Sequence, residues 1–201
     1  DIASLLAQGR TKALENLRRA RLSLAQIDGY LEEANEQERL RGGAEPYLRS
    51  VANRCILYAP WTEPGFDAKR YLFLTTRLYE SAESAGVMPL YQWGMARSPR
   101  TEGVRWCVFV EAAIEDDAFA ERIAREGGRE GISPIEGADI FIARIPAGVY
   151  HGTRIREAGF EPCFRSVFEQ AERLEGAIVA AEVWEAEIHP ADYVVELLER
   201  Q

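Results

Sequence analysis

The chain has 201 residues and a formal charge of −9 at pH 7, from 24 Lys and Arg against 33 Asp and Glu. Hydrophobic residues make up 47% and charged residues 28% of the chain, which is ordinary for a folded globular protein and excludes wholesale disorder. The acidic balance makes the chain by itself a poor candidate for binding nucleic acid or an anionic membrane, because proteins neutralise phosphates with basic surfaces.

Residues 2–41 are predicted to form one long helix, because they contain no proline and are rich in Ala, Leu, Glu and Arg. Apolar residues recur along it in the heptad pattern of a coiled coil, interrupted by Arg10. They are Leu6, Ala13, Leu17, Ala20, Leu24, Ile27, Leu31 and Ala34. The pattern predicts that the helix pairs with a second helix. Packing against the chain's own domain is the alternative.

The charges on this helix are segregated along its length. Residues 10–21 carry five basic residues and one acidic residue, whereas residues 28–38 carry five acidic residues and no basic one. Two antiparallel copies would set the basic half of one against the acidic half of the other, so we predict an antiparallel coiled-coil homodimer. Gly42 and Gly43 end the helix, and residues 1–43 are the predicted dimerisation domain. The sequence starts inside the helical pattern, which suggests a segment of a longer protein.

Residues 44–201 are predicted to form a second domain, in which a β-α-β-β order of elements occurs twice. The two halves cover residues 51–112 and 138–199, with an acidic insert at 113–137. The predicted strands are 51–59, 89–97, 104–112, 138–146, 177–186 and 192–199; the predicted helices are 66–85, 115–126 and 160–174; and residues 127–137 are a predicted mobile connector. The fold class is therefore α+β, with a curved, mainly antiparallel sheet that carries the helix of each half on one face.

Aromatic residues cluster at the predicted strands, together with one carboxylate. Side chains alternate between the two faces of a strand, so Glu182 and Trp184 share a face, as Tyr91 and Trp93 do. A carboxylate in an aromatic pocket favours a lipophilic cation, which relieves the cost of burying the charge. The candidate ligand-binding residues are Tyr58, Trp61, Tyr91, Trp93, Trp106, Tyr150, Glu182 and Trp184. Ordinary packing of these aromatic residues is the alternative.

The sequence contains no metal, cofactor or catalytic motif. The cysteines, Cys55, Cys107 and Cys163, are scattered and the two histidines lie far apart, so we predict no metal, no cofactor and the reduced thiols of a cytoplasmic protein. Two histidines do not build a convincing catalytic triad and the GxSxG pattern is absent, so the chain is not predicted to be an enzyme. Glu182 is the acid-base candidate that remains, if burial raises its pKa.

Three segments resemble a known family: IPAGVYHG at 145–152, AAEVWEAEIHP at 180–190 and ADYVVELLE at 191–199. Together with a long dimerising helix, they are similar to the C-terminal part of MerR-family transcriptional regulators of the multidrug-sensing, BmrR-like branch. The resemblance implies a GyrI-like or SOUL-type effector-binding domain, with Glu182 as the buried pocket glutamate and Trp184 and Tyr150 as ligand-contacting aromatics. It also implies that DNA is contacted through a winged-helix domain that precedes the dimerisation helix and is absent from this chain.

The chain is therefore predicted to be the ligand-sensing and dimerisation region of a MerR-like regulator. Its predicted partners are a hydrophobic, cationic aromatic small molecule and a second copy of the chain, with no membrane partner. Two alternatives stay open at this point. One is a GyrI-like hydrolase that uses the pocket glutamate and a tyrosine, and the other is an inhibitor or scaffold that binds another protein through its acidic surface.

Overall fold

The structure is a computed structural model that describes residues 2–40, 46–85, 87–98, 105–113, 130–135, 138–176, 178–183 and 192–201. The helices in this part of the chain are α1 (Ile2–Leu40), α2 (Ala68–Ala85) and α3 (Phe160–Ala171). The strands are β1 (Tyr47–Val51), β2 (Arg54–Trp61), β3 (Met88–Arg97), β4 (Trp106–Ala113), β5 (Glu130–Ile135), β6 (Ala138–Ile145), β7 (Gly148–Glu157), β8 (Ile178–Glu182) and β9 (Tyr193–Arg200). The chain forms two compact units, Asp1–Arg39 and Leu40–Gln201.

The first unit is the single helix α1, and the prediction of one long N-terminal helix is confirmed. Its apolar row is exposed along the whole helix: Leu6 is 69% exposed, Leu24 is 59% and Leu31 is 57%. Within the helix, Arg19 forms an ion pair with Glu15 at 2.7 Å. A row of exposed leucines at heptad spacing is typical of a helix that pairs with another. The antiparallel homodimer stays a prediction.

The second unit contains one nine-stranded sheet in the order β1-β7-β9-β8-β3-β4-β2-β6-β5. Every pairing between the described strands is antiparallel, and the sheet curls into a half-barrel. The predicted mixture of helices with a curved, mainly antiparallel sheet is therefore confirmed. Among the described residues, no helix is both long enough and apolar enough to cross a membrane.

Two stretches of this unit have the same order of elements, β2-α2-β3-β4 and β7-α3-β8-β9. In the sheet their strands run β3-β4-β2 and β8-β9-β7, and the two sets meet where β3 pairs with β8. The second set begins with β7, for which we predicted no strand, whereas the predicted first strand of that half, β6, pairs with β2 and β5. The predicted halves thus differ from the observed sets at this boundary, and a GyrI-like duplication stays a prediction.

The seam between the two sets is the short pairing of Gly94, Met95 and Ala96 with Ala181, Ala180 and Val179. A Cβ atom at Gly94 would lie 2.0 Å from the carbonyl oxygen of Ala180, closer than any side-chain carbon can approach. Glycine at this position is therefore what lets the two central strands pair.

Several predicted boundaries are corrected by the structure. Residues 130–135, predicted to be part of a mobile connector, form β5 and pair with β6. The predicted strand 51–59 is two strands, because β1 ends at Val51 and β2 begins at Arg54. The predicted helix 160–174 ends at Ala171. The predicted acidic helix 115–126 lies outside the described residues.

Strand β1 was not predicted from the sequence, because polar residues attach it to a strand that is distant in the chain. Arg49 and Glu196 are almost completely buried and form an ion pair between β1 and β9. The hydroxyl of Tyr47 donates a hydrogen bond of 2.6 Å to the same carboxylate. A carboxylate that is buried needs such compensation, so these contacts fix β1 to the sheet.

Helices α2 and α3 pack on the same face of the sheet. Tyr71, Leu74, Leu78 and Ala82 form the predicted apolar stripe of α2, and all four are buried there. Buried residues of α3 join the same cluster; they are Cys163, Phe164, Val167 and Ala171. A second cluster, which contains Tyr58, Phe109 and Tyr150, lies on the opposite face because its residues alternate with those of the first. We call the face that carries α2 and α3 the helix face and the opposite face of the sheet the open face.

The three cysteines are free thiols. Burial raises the pKa of Cys107 to about 12 and that of Cys163 to about 11, so neither is a thiolate at neutral pH. Both act as small apolar residues of the core.

Candidate functional site

The candidate site is centred on Glu182, the last residue of β8. Its side chain lies on the helix face, because Ile178 and Ala180, which precede it at spacings of two, both belong to the helix-face core. The strand register places it opposite Val195 of β9. The carboxylate is half-buried, at the margin of the core.

Three side chains from three elements donate hydrogen bonds to the Glu182 carboxylate. The hydroxyl of Tyr71 on α2 donates to Oε1 at 2.6 Å. The hydroxyl of Tyr193 on β9 and the indole N–H of Trp93 on β3 complete the set. Within the described part of the chain, no Lys, Arg or His forms an ion pair with this carboxylate. The negative charge of Glu182 is therefore stabilised by neutral hydrogen-bond donors.

Burial determines the protonation of this group. It raises the pKa of Glu182, and the three hydrogen bonds act in the opposite direction because they stabilise the carboxylate. Burial and the negative charge of Glu182 also raise the pKa values of Tyr71 and Tyr193. Both hydroxyls consequently stay protonated and act as donors at neutral pH.

Aromatic rings surround the donors. Phe160 contacts Tyr71, with ring centroids 5.3 Å apart, and Tyr193, at 5.2 Å. Phe164 lies 5.0 Å from Tyr71 and stacks on Phe66 at 4.8 Å. The Phe160–Tyr193 pair is edge-to-face and the Phe66–Phe164 pair is stacked, and all four centroid distances lie in the range of favourable aromatic contacts. The carboxylate thus lies at one end of a continuous aromatic cluster built from both helices and the sheet.

This arrangement suits a cation with an apolar body. An ionised carboxylate in apolar surroundings is costly unless a positive charge balances it. The faces of aromatic rings attract cations by about 0.5–2 kcal/mol per contact, depending on desolvation. A lipophilic cation would therefore satisfy the carboxylate and the rings together.

The structure brings only part of the predicted site together. Trp93 contacts Glu182 directly, as described above. Trp61 and Trp106 lie on the same helix face and join the cluster through Phe168, at ring distances of 6.4 Å and 5.0 Å. The side chain of Tyr91 and all of Trp184 lie outside the described residues.

Tyr58 and Tyr150 are not near Glu182, because both lie in the open-face cluster. The Tyr150 hydroxyl donates a hydrogen bond of 2.8 Å to the carbonyl of Pro146. The ring of Tyr58 packs against Phe141, 5.5 Å away. The sheet therefore separates Tyr58 and Tyr150 from Glu182, and their position gives no support to a contact with a ligand bound at Glu182.

Two residues central to the site, Tyr71 and Tyr193, were missed by the sequence analysis. Tyr71 was assigned only to the apolar stripe of its helix. Tyr193 shares a face with Val195, two residues away, and Val195 lies opposite Glu182. The alternation within the last strand was visible in the sequence, but the register that brings the two strands together was not.

No protein-family model matches the chain, and no curated protein matches it significantly. Among solved structures, the chain is similar to one described as the crystal structure of the EcmrR C-terminal domain, with a TM-score of 0.46 and 12% sequence identity. The match covers 78% of this chain and 96% of that one. A likeness at this level carries no argument about function.

Proposed function

We propose that the chain is the ligand-sensing and dimerisation region of a MerR-like transcriptional regulator. Its effector is a hydrophobic, cationic aromatic small molecule bound at Glu182. The observation that carries the proposal is a half-buried carboxylate that is bonded to Tyr71, Tyr193 and Trp93 and is surrounded by aromatic rings. The motifs that resemble the MerR family support the same function.

The exposed heptad row of α1 supports the dimeric part of the proposal. A regulator that senses a small molecule must convert binding into a change of geometry at its target, and a dimer helix joined to the sensing unit provides the means. In this proposal DNA is contacted by a winged-helix domain outside this chain. The acidic charge of the chain therefore does not oppose a role in transcription.

The proposal is tested by isothermal titration calorimetry with tetraphenylphosphonium. Glu182→Gln keeps the size of the side chain and removes its charge, so affinity should fall by about tenfold or more, the scale of a lost charge-assisted contact. Glu169→Gln is the matched control, because Glu169 is an exposed glutamate on α3 and loses the same charge.

Tetraphenylborate controls for shape, because it has nearly the same form and the opposite charge. It should bind at Glu182 far more weakly than the phosphonium. Equal affinity of the wild type and Glu182→Gln for tetraphenylphosphonium would remove Glu182 from the site and with it the proposed effector class.

Hydrolysis is the second candidate function, favoured by one observation. A carboxyl group with a raised pKa beside two tyrosine hydroxyls is an arrangement that can donate or accept a proton during bond cleavage. Incubation with aryl esters would show turnover that Glu182→Gln abolishes. Absence of turnover, with cation binding intact, would leave the sensor as the function.

A further inference from the structure

Among the described residues, the protein's own aromatic rings fill the space on the helix face next to the Glu182 site. The structure describes cavities of about 440 Å³ and 490 Å³, and neither is lined by Glu182 or by a ring of the aromatic cluster. A ligand whose charge lies at Glu182 and whose aromatic body lies in the cluster therefore needs one of these rings to leave its place.

Phe66 is the ring that contacts most of the others. Five rings lie around it at centroid distances of 4.8–6.2 Å; they are Phe164, Phe160, Tyr71, Trp61 and Phe168. Phe66 is nearly parallel to Phe164 and to Trp61, with 7° and 14° between the ring planes. Five rings packed around one ring form a site for a flat aromatic group, and the chain's own Phe66 occupies it.

Phe66 differs from these five rings in the segment that carries it. Residues 62–67 form neither helix nor strand, whereas each of the five rings belongs to β2, α2 or α3. The neighbouring residues Pro64, Gly65 and Asp67 are exposed, and Phe66 itself is half-buried. The ring therefore enters the cluster from the surface of the protein.

The segment before Phe66 has weak attachments within the described part of the chain. The indole N–H of Trp61 donates a hydrogen bond of 3.1 Å to the carbonyl of Gly65. Glu63 forms a partly exposed ion pair with Arg70 at 3.9 Å, and pairs of this kind contribute little. No atom lies within 4 Å of a Cβ added at Gly65, so there is open space beside the segment. Phe66 can therefore move outward without breaking a hydrogen bond of a helix or strand.

We propose that Phe66 occupies, in the ligand-free chain, the subsite that receives an aromatic ring of the effector. When the effector binds, Phe66 moves out and the effector ring stacks on Phe164 and Trp61 in its place. Tyr71 joins this subsite to the charge, because its ring lies 5.6 Å from Phe66 and its hydroxyl donates to Glu182. The inference rests on the proposed function, since the positive charge of the same ligand lies at Glu182.

The movement is observed directly by ¹⁹F NMR of the chain labelled with 4-fluorophenylalanine at its eight phenylalanines. Phe66→Leu and Phe164→Leu each remove one signal and so assign the two rings. Tetraphenylphosphonium should raise the shift that the Phe66 signal shows between H₂O and D₂O, because the ring becomes exposed to solvent. The signal of Phe164, which is completely buried, should keep its small solvent shift.

Affinity provides the second measurement. Phe66→Ala empties the subsite, so its affinity for tetraphenylphosphonium in calorimetry should rise by about fivefold or more, because displacement of the ring no longer opposes binding. Phe66→Leu removes the aromatic contacts with a smaller loss of volume, and it should give a smaller rise. Phe168→Ala is the matched control, because it truncates another half-buried ring of the cluster that lies on α3. Its affinity should not rise.

Two results would overturn the inference and leave the proposed function standing, provided that binding still depends on Glu182. One is a Phe66 signal whose solvent shift does not change when tetraphenylphosphonium binds. The other is an affinity of Phe66→Ala and Phe66→Leu that is no higher than that of the wild type. Absence of tetraphenylphosphonium binding in the wild type and in both variants would instead overturn the proposed function, and the inference with it.

Discussion

At the scale of single residues, the chemistry of the candidate site depends on the protonation of Glu182. Burial raises the pKa of this carboxyl group in the folded chain. Its favourable contribution to folding is thus present at pH values below the unfolded pKa and is lost as the pH rises through the folded pKa. The ionised form is the one the fold tolerates least, and it is also the form that a cation stabilises.

Cation binding at this site should therefore depend on pH. As the pH falls through the raised pKa of Glu182, affinity for tetraphenylphosphonium should decrease by up to about tenfold per pH unit, because a proton competes for the carboxylate. Calorimetry across this range, in buffers of different ionisation enthalpy, would measure the accompanying proton release. Glu182→Gln should bind weakly with no such slope. A wild-type affinity that is independent of pH across the acidic range would contradict the role of an ionised carboxylate.

The residues of the site also show what a sequence can and cannot predict. Glu182 and Trp93 were found because each shares a face with other aromatic or apolar residues two positions away. Tyr58 and Trp61 were grouped although three positions separate them, which places them on opposite faces of β2. The position of Tyr193 beside Glu182 depends on the register between β8 and β9, and alternation within one strand does not determine that register.

At the scale of elements, the pairing of β3 with β8 holds together two sets of strands with the same internal order. Helical stripes and apolar strands were predicted well, because their periodicity is local. Three strands were missed. Two of them, β1 and β7, lie beside each other at one end of the sheet order and contain several polar residues, and the third, β5, lies at the other end. Strands β1 and β7 are stabilised by partners that are distant in the sequence, such as the Arg49–Glu196 ion pair between β1 and β9, which no local pattern reveals.

The seam should be sensitive to a single methyl group. Gly94→Ala would force the Ala180 carbonyl away from its position and should destabilise the second unit by about 1–3 kcal/mol or more, the range for overpacking a tight site. Gly65→Ala is the matched control, because nothing lies within 4 Å of the added carbon, and it should be nearly neutral. Urea unfolding followed by tryptophan fluorescence measures both. Similar midpoints for the two variants would mean that the seam is not tightly packed.

At the scale of the whole molecule, the charge of −9 is unevenly placed. The basic half and the acidic half of α1 lie one after the other along the helix. A net charge therefore says less about partners than its distribution does.

The dimer is tested at this scale by light scattering. The wild type should have the mass of a dimer at micromolar concentration, and Leu24→Asp should be monomeric, because a charge in the apolar row cannot be buried between two helices. Leu72→Asp is the control, since Leu72 on α2 is exposed to nearly the same extent as Leu24, at 57% against 59%. High salt should weaken the dimer modestly, by screening the attraction between the basic and acidic halves. A monomeric wild type would refute the prediction.

The hydrogen bond from Trp93 to Glu182 places an indole ring directly beside the ionisable group of the candidate site. The fluorescence emission of an indole responds to the charge and polarity beside it. The indole of Trp93 donates a hydrogen bond to the carboxylate of Glu182, the group that is proposed to bind the cation. Protonation of the carboxyl group, or arrival of a cation beside it, changes the electric field at the ring. The chain thus contains an intrinsic optical probe at its own candidate site, and no attached label is needed to follow it.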